Sequence, residues 1–100
     1  MKVSKSKQFA VLGLGSFGGS LVKEFHDLGV EVLAVDNDID KVNEFTEFAT
    51  HAVQTNATDE ISLEAIGIRN FDFVLVSYGD NLQGSILTTL LLKEMGIKNV

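Results

Sequence analysis

The sequence predicts an α/β fold, a doubly wound parallel sheet with helices on both faces, from three observations. Four short apolar runs recur along the chain, each ending at a small or polar residue. The stretches between them carry helical apolar spacing, and no hairpin turn joins one run to the next. Runs without polar alternation suit strands covered on both faces, and strands alternating with helices imply crossover connections.

The first run is Phe9, Ala10, Val11 and Leu12, closing at Gly13. Phe17, Leu21, Val22, Phe25 and Leu28 then share one helical face, and Gly29 closes that helix. The second run, residues 32–35, ends at Asp36. Asp38 is placed to cap a helix whose apolar positions are Ile39, Val42, Phe45 and Ala49. Ala52 and Val53 form a short third run, and a helix is expected from Asp59 to Ile66, stopped by Gly67. The fourth run, residues 73–76, stops at Ser77. A last helix, expected from Asn81 to Met95, carries Leu82, Ile86, Leu87, Leu90, Leu91, Leu92 and Met95, a wider apolar surface than one buried stripe requires. That excess points to a partner surface. A fifth strand is due near Val100, so residues 1–100 read as one partial domain, truncated at the start of that strand.

Composition narrows the function. The chain has 100 residues, 45% hydrophobic and 22% charged, enough for one modest core and far from the composition of disordered chains. Eight basic against fourteen acidic residues, a formal charge of -6, argue against nucleic acid as a partner. The absence of cysteine removes disulfides, thiolate metal sites and cysteine nucleophiles together. No apolar run reaches the roughly 18 residues of a spanning helix, and residues 1–7 lead into a strand rather than a signal core.

Chemistry concentrates at the ends of the predicted strands. Gly13-Leu14-Gly15-Ser16-Phe17-Gly18 has the form G-x-G-x-x-G between a strand and a helix, which makes the fold Rossmann-like. Gly13 permits the tight turn, Gly15 lets a pyrophosphate approach the backbone, and Gly18 lets the helix pack on the strand. Free N–H groups at the helix start face the anion. Asp36, followed by Asn37, comes about 20 residues after the turn, the spacing of a ribose-binding carboxylate. A carboxylate there accepts from ribose hydroxyls and repels a 2′-phosphate, so NADP is disfavoured. Asn56, Ala57 and Thr58 after the third strand, and Ser77 and Gly79 after the fourth, can line an adenine or a second phosphate; alternatively, Thr58 caps the third helix and Gly79 turns the chain.

Other constellations are weaker. Asp36, Asp38, Asp40 and Glu47 fall at calcium-loop positions, but Lys41 stands where the loop's sharp turn demands glycine. His26 and His51 read as a surface helix residue and a strand-edge residue. No nucleophile, base and orienter form a recognisable set, and Ser16, Ser77 and Ser85 lack the setting of a hydrolase serine.

The runs QFAVLGLGSFGGSL from Gln8, EVLAVDND from Glu31, THAVQTNATDE from Thr50, GIRNFDFVLV from Gly67 and NLQGSILTTLLLKEMGIKNV from Asn81 resemble an RCK/KTN (TrkA-N) domain of bacterial potassium uptake systems. The resemblance implies a cytoplasmic, non-catalytic regulatory domain that binds ATP, ADP or NAD(H) and signals to a membrane ion-translocating subunit. Longer family members pair as dimers and assemble into octameric rings. By position, Gly13, Gly15 and Gly18 match the family's phosphate turn, Asp36 its ribose carboxylate, and Asn56, Ala57 and Thr58 its adenine-side contacts. The family's turn commonly reads GLGRFG, its arginine helping to hold the terminal phosphate of ATP; Ser16 stands in that place here. An NAD-dependent oxidoreductase fragment is the alternative, since the same turn and Asp36 would serve it, but hydride transfer also needs a placed substrate and a proton donor. A structural assembly module without ligand is a third reading, motivated by the broad apolar face of the last helix.

Overall fold

The computed structural model describes residues 7–77, 82–97 and 99, with backbone alone for 82–87. Strands β1 (Phe9–Leu12), β2 (Val32–Asp36), β3 (His51–Gln54) and β4 (Phe73–Val76) form a parallel sheet in the order β3-β2-β1-β4. Leu12 lies opposite both Val35 and Val76, and Asp36 opposite Gln54, so the carboxyl ends of all four strands reach one edge. The sheet runs outward from β1 to β2 and β3, then returns to the other side of β1 for β4. That reversal places the switch point, where open α/β sheets bind ligands, between β1 and β4.

Strand alternation explains why the runs are apolar throughout. Phe9, Val11, Val32 and Ala34 pack with Val22, Phe25 and Phe45, on the face covered by α1 (Ser16–Asp27) and α2 (Ile39–Glu44). Ala10, Leu12, Leu33 and Val35 pack with Leu63, Ile68, Leu92 and Met95. This face is covered by α3 (Glu60–Ala65), a 3₁₀ turn (Ile68–Asn70) and α4 (Leu82–Glu94). Leu12, Leu63, Ile68 and Leu92 are fully buried, each contributing roughly 1.5–3 kcal/mol relative to exposure.

Three helices differ from the sequence expectation for physical reasons. Phe17, expected on the buried face of α1, is 67% exposed, and Leu28 and Ile39 are also exposed. Phe17 sits in the first turn of α1, at the carboxyl edge of the sheet, and the buried stripe begins one residue later with Gly18, Val22 and Phe25. Helix α2 ends at Glu44, well short of Ala49. Phe45 leaves helical geometry, and its carbonyl accepts from the N–H groups of Phe48 and Ala49 at 3.1 and 3.0 Å. This turn seats the Phe45 ring against Gly19, where a Cβ would stand 2.4 Å from Cζ. Helix α3 stops at Ala65, and the 3₁₀ turn after it, absent from the sequence expectation, buries Ile68. Arg69 then reaches the Met95 carbonyl and pairs with Glu64 at 2.7 Å.

In α4, Leu92 is buried, as is Met95 just past its end, while Leu90 is 58% exposed, so part of its apolar excess faces outward. The side chains of Leu82, Ile86 and Leu87, expected on the same surface, lie outside the described residues, as does Val100. Phe73 and Ser77 donate N–H groups to the carbonyls of Gln8 and Leu12, so the intervening Val74 N–H points to the other edge of β4. There it meets the Asn99 carbonyl at 2.8 Å.

Candidate functional site

The loop between β1 and α1 is held from two sides. Gly13 takes φ 102°, a conformation that costs a side-chain-bearing residue, and its N–H donates to the Val35 carbonyl at 2.7 Å. The next N–H, of buried Leu14, donates to Asp36 Oδ2 at 2.8 Å. Asp36 Oδ1 accepts from the Asp38 N–H at 2.9 Å. The carboxylate that sequence spacing singles out therefore ties the glycine turn to the end of β2. Each oxygen accepts one backbone N–H, and an ionised carboxylate offers about four acceptor sites, so room remains for two further donors.

The three glycines of the turn are there for different reasons. A Cβ on Gly18 would stand 1.9 Å from the Gly13 carbonyl oxygen, so close helix–strand packing requires glycine. Gly15 has φ -71°, and nothing among the described residues lies within 4 Å of where a Cβ would stand. Neither backbone conformation nor packing inside the chain demands a glycine there. The space above it is open.

Helix α1 also starts differently from its neighbours. Asp38 caps α2 by accepting from the Asp40 N–H, and Asp59 caps α3 by accepting from the Ile61 N–H. Gly15, the N-cap of α1, supplies no side chain, so the N–H groups of a twelve-residue helix open onto the switch point uncapped. Ser16 and Phe17 are exposed on the rim, and the Ser20 hydroxyl donates to the Ser16 carbonyl at 2.8 Å. Beside them lies a cavity of about 230 Å³ lined by Gly15, Ser16, Ser20, Lys23, Lys41 and Glu44 among others. A second cavity, about 160 Å³, lies at the opposite end of the sheet around Phe9, Val32 and His51, away from the candidate residues.

The other candidates reach the same edge from β2, β3 and β4. Asn37 is exposed beside Asp36, and its carbonyl accepts from Gln54 Nε2 at 3.1 Å. The Asn56 Oδ1 accepts from both the N–H and the hydroxyl of Thr58, at 3.0 and 2.6 Å, and Ala57 is buried between them. The capping role weighed for Thr58 falls to Asp59. Ser77 is half-buried with its N–H on the Leu12 carbonyl at 2.8 Å, and Gly79 lies outside the described residues.

Leu14, a variable position of the motif, enters the site through its N–H. Residues outside the motif also reach it. Lys23 and Lys41 line the cavity, and Lys23 lies over the rings of Phe45 and Phe48, 5.7 and 5.3 Å from their centroids. Helical spacing carries a signal for Lys23, since Ser16, Ser20 and Lys23 recur at i, i+4 and i+7. The acidic run resolves into caps, with Asp36 and Asp38 accepting backbone N–H groups. His26 lies edge-on to Phe48 at 5.6 Å and His51 opens the edge strand, both exposed.

The chain is 59% identical over 96 residues to the Ktr system potassium uptake protein A of Bacillus subtilis, covering 96% of this chain and 43% of that protein. It is 55% identical over 94 residues to protein C of the same system and organism, covering 94% and 42%. The Vibrio alginolyticus protein A is 43% identical over 94 residues, covering 94% and 43%. The chain thus spans less than half the length of these relatives. Among solved structures, one from Bacillus halodurans assigned as an NAD-dependent epimerase/dehydratase superposes with a TM-score of 0.71 over 93% of this chain and 49% of that one. At 21% identity it shares the Rossmann-like fold alone. Residues 9–100, which include every strand, the glycine turn and Asp36, match the family model described as TrkA-N domain, and the chain belongs to the TrkA-N domain family.

Proposed function

We propose that this chain is the nucleotide-binding regulatory domain of a potassium uptake system, in which ATP, ADP or NAD(H) occupies the carboxyl edge of the sheet and controls a membrane ion-translocating partner. One observation carries the nucleotide reading. Helix α1 begins uncapped at a glycine that the chain's own atoms do not require, next to a buried carboxylate with acceptor capacity to spare. An anionic pyrophosphate matches the first feature and a ribose diol the second. The regulatory and potassium-uptake parts rest on the Ktr system relatives. The domain acts by binding, works on the cytoplasmic side beneath its partner, and self-associates. No helix among the described residues is long and apolar enough to cross a membrane. In this reading ion translocation belongs to the partner subunit.

Calorimetry with a nucleotide panel tests the reading. ADP and NADH are expected to bind at least about tenfold more tightly than NADPH, a difference of about 1.4 kcal/mol, because a 2′-phosphate would meet the Asp36 carboxylate. Equal or tighter NADPH binding overturns the ribose assignment, and failure of every nucleotide to bind overturns the reading itself.

Ser16 makes a second expectation. It is exposed at the start of α1 and brings no cation to a terminal phosphate. ATP is therefore expected to gain little over ADP, and Ser16→Arg to raise the ATP-to-ADP affinity ratio by about tenfold through a charge-assisted contact. The ratio of the two dissociation constants, wild type against variant, is the measurement. A wild-type preference for ATP already beyond about tenfold assigns the terminal phosphate to another cation.

A further inference from the structure

Thr88 is one of two buried polar residues among those described, and its hydroxyl donates to the Ala57 carbonyl at 3.0 Å, across 31 residues of chain. A threonine within a helix ordinarily returns its hydroxyl to the carbonyl one turn earlier; its single O–H here leaves the helix. Valine has nearly the same shape and would fill the space, so packing alone does not call for the hydroxyl.

The bonds around Ala57 divide into two kinds. Asn56 holds the N–H and hydroxyl of Thr58, the Asn56 carbonyl accepts from the Asp59 N–H, and Asp59 accepts from Ile61 and Ser62. These bonds fix the shape of residues 56–59 and are exposed and local. The Thr55 N–H on the Asp36 carbonyl ties the loop's beginning to β2. Among the described residues, the bond from Thr88 is the one that joins this loop to α4, and it is buried. It ties the turn to a helix on one face of the sheet, while the local bonds fix the turn's form.

We propose that Thr88 is a positioning residue for the nucleoside-binding loop, holding residues 56–58 at the distance from the glycine turn that an adenosine moiety requires, and so joining the occupied site to α4. The inference rests on reading Asn56, Ala57 and Thr58 as nucleoside contacts. Thr88 itself is buried beneath the loop and touches no ligand.

The test compares ADP with inorganic pyrophosphate in the full-length protein, because pyrophosphate needs only the glycine turn. Thr88→Val is expected to weaken ADP by about tenfold and leave pyrophosphate within about twofold of wild type, and Thr88→Ser is expected to restore ADP. Unchanged ADP affinity in Thr88→Val, or equal loss of ADP and pyrophosphate, overturns the proposal. Should Thr88→Val fail to fold, NMR of the wild type decides. ADP is expected to shift the Thr88 methyl together with the Thr58 amide, and pyrophosphate to shift neither. A Thr58 shift without a Thr88 shift overturns the proposal. If wild type binds pyrophosphate but not ADP, the nucleoside reading fails and the role of Thr88 with it. If wild type binds ADP and Thr88→Val matches it, only the role of Thr88 fails.

Discussion

Asp36→Ala is expected to cost about 3 kcal/mol of stability and to weaken adenosine nucleotides by tenfold or more. Both effects come from one carboxylate. Hydrogen bonds to charged groups contribute roughly 1.5–3 kcal/mol each, and alanine removes the acceptor of the Leu14 and Asp38 N–H groups. The Leu14 N–H belongs to a residue 1% exposed, where water is a poor substitute partner. For a domain of this size the loss lowers the melting temperature by on the order of 10–20 °C. Urea denaturation reads the first effect and calorimetry the second. Asp36→Asn is the milder variant, since its amide oxygen still accepts one backbone N–H while its NH₂ group accepts neither the second N–H nor a ribose hydroxyl. An unchanged melting temperature in Asp36→Ala removes the structural role, and ADP affinity unchanged in Asp36→Asn removes the ribose role.

The second large effect is a contrast between two glycines three residues apart. Gly18→Ala places a methyl group 1.9 Å from the Gly13 carbonyl oxygen, an overlap that only moving α1 off β1 can relieve. The expected cost is about 3 kcal/mol or more, with the phosphate turn distorted as well. Gly15→Ala meets nothing within 4 Å and keeps an ordinary φ, so its stability is expected to stay within about 1 kcal/mol of wild type. Its methyl group occupies the space a pyrophosphate would take, and ADP affinity is expected to fall at least about 100-fold, equivalent to about 2.7 kcal/mol. Thermal melts and calorimetry on both variants give the comparison. Normal ADP binding by Gly15→Ala assigns the open space to something other than phosphate.

Three of the strands were legible because a strand covered in a parallel sheet can carry four consecutive apolar residues, a signal that needs no periodicity, whereas β3, with only Ala52 and Val53 apolar, carried a weaker one. Their ends were legible because Gly13, Asp36 and Ser77 interrupt those runs. The helices were harder. Apolar spacing placed Phe17 on the buried face of α1, but spacing registers angle around a helix and not height along it, and Phe17 stands above the core. Phe45 kept the angular position expected of it while the backbone left the helix, a choice made by Gly19 on another element. The same limit applies at the site. The glycine turn and Asp36 share one motif and could be placed together, and helical spacing ties Lys23 to Ser16, whereas Lys41 and Thr88 reach the site through helix packing that no local pattern encodes. The bond from Leu14 to Asp36 joins two motif positions, yet the motif assigns that carboxylate only to a ligand.

Leu14 and Ala57, the buried feet of the two loops, belong to opposite cores. One loop is footed in the α1 layer and the other in the α4 layer, and the layers meet through strands only four or five residues long. Adjacent strands in such a sheet are rotated by about 20–25°, and a small change in that twist opens or closes the gap between the loops. The edge of the sheet therefore works as a caliper. A rigid ligand in contact with both jaws would favour the twist that matches its own length.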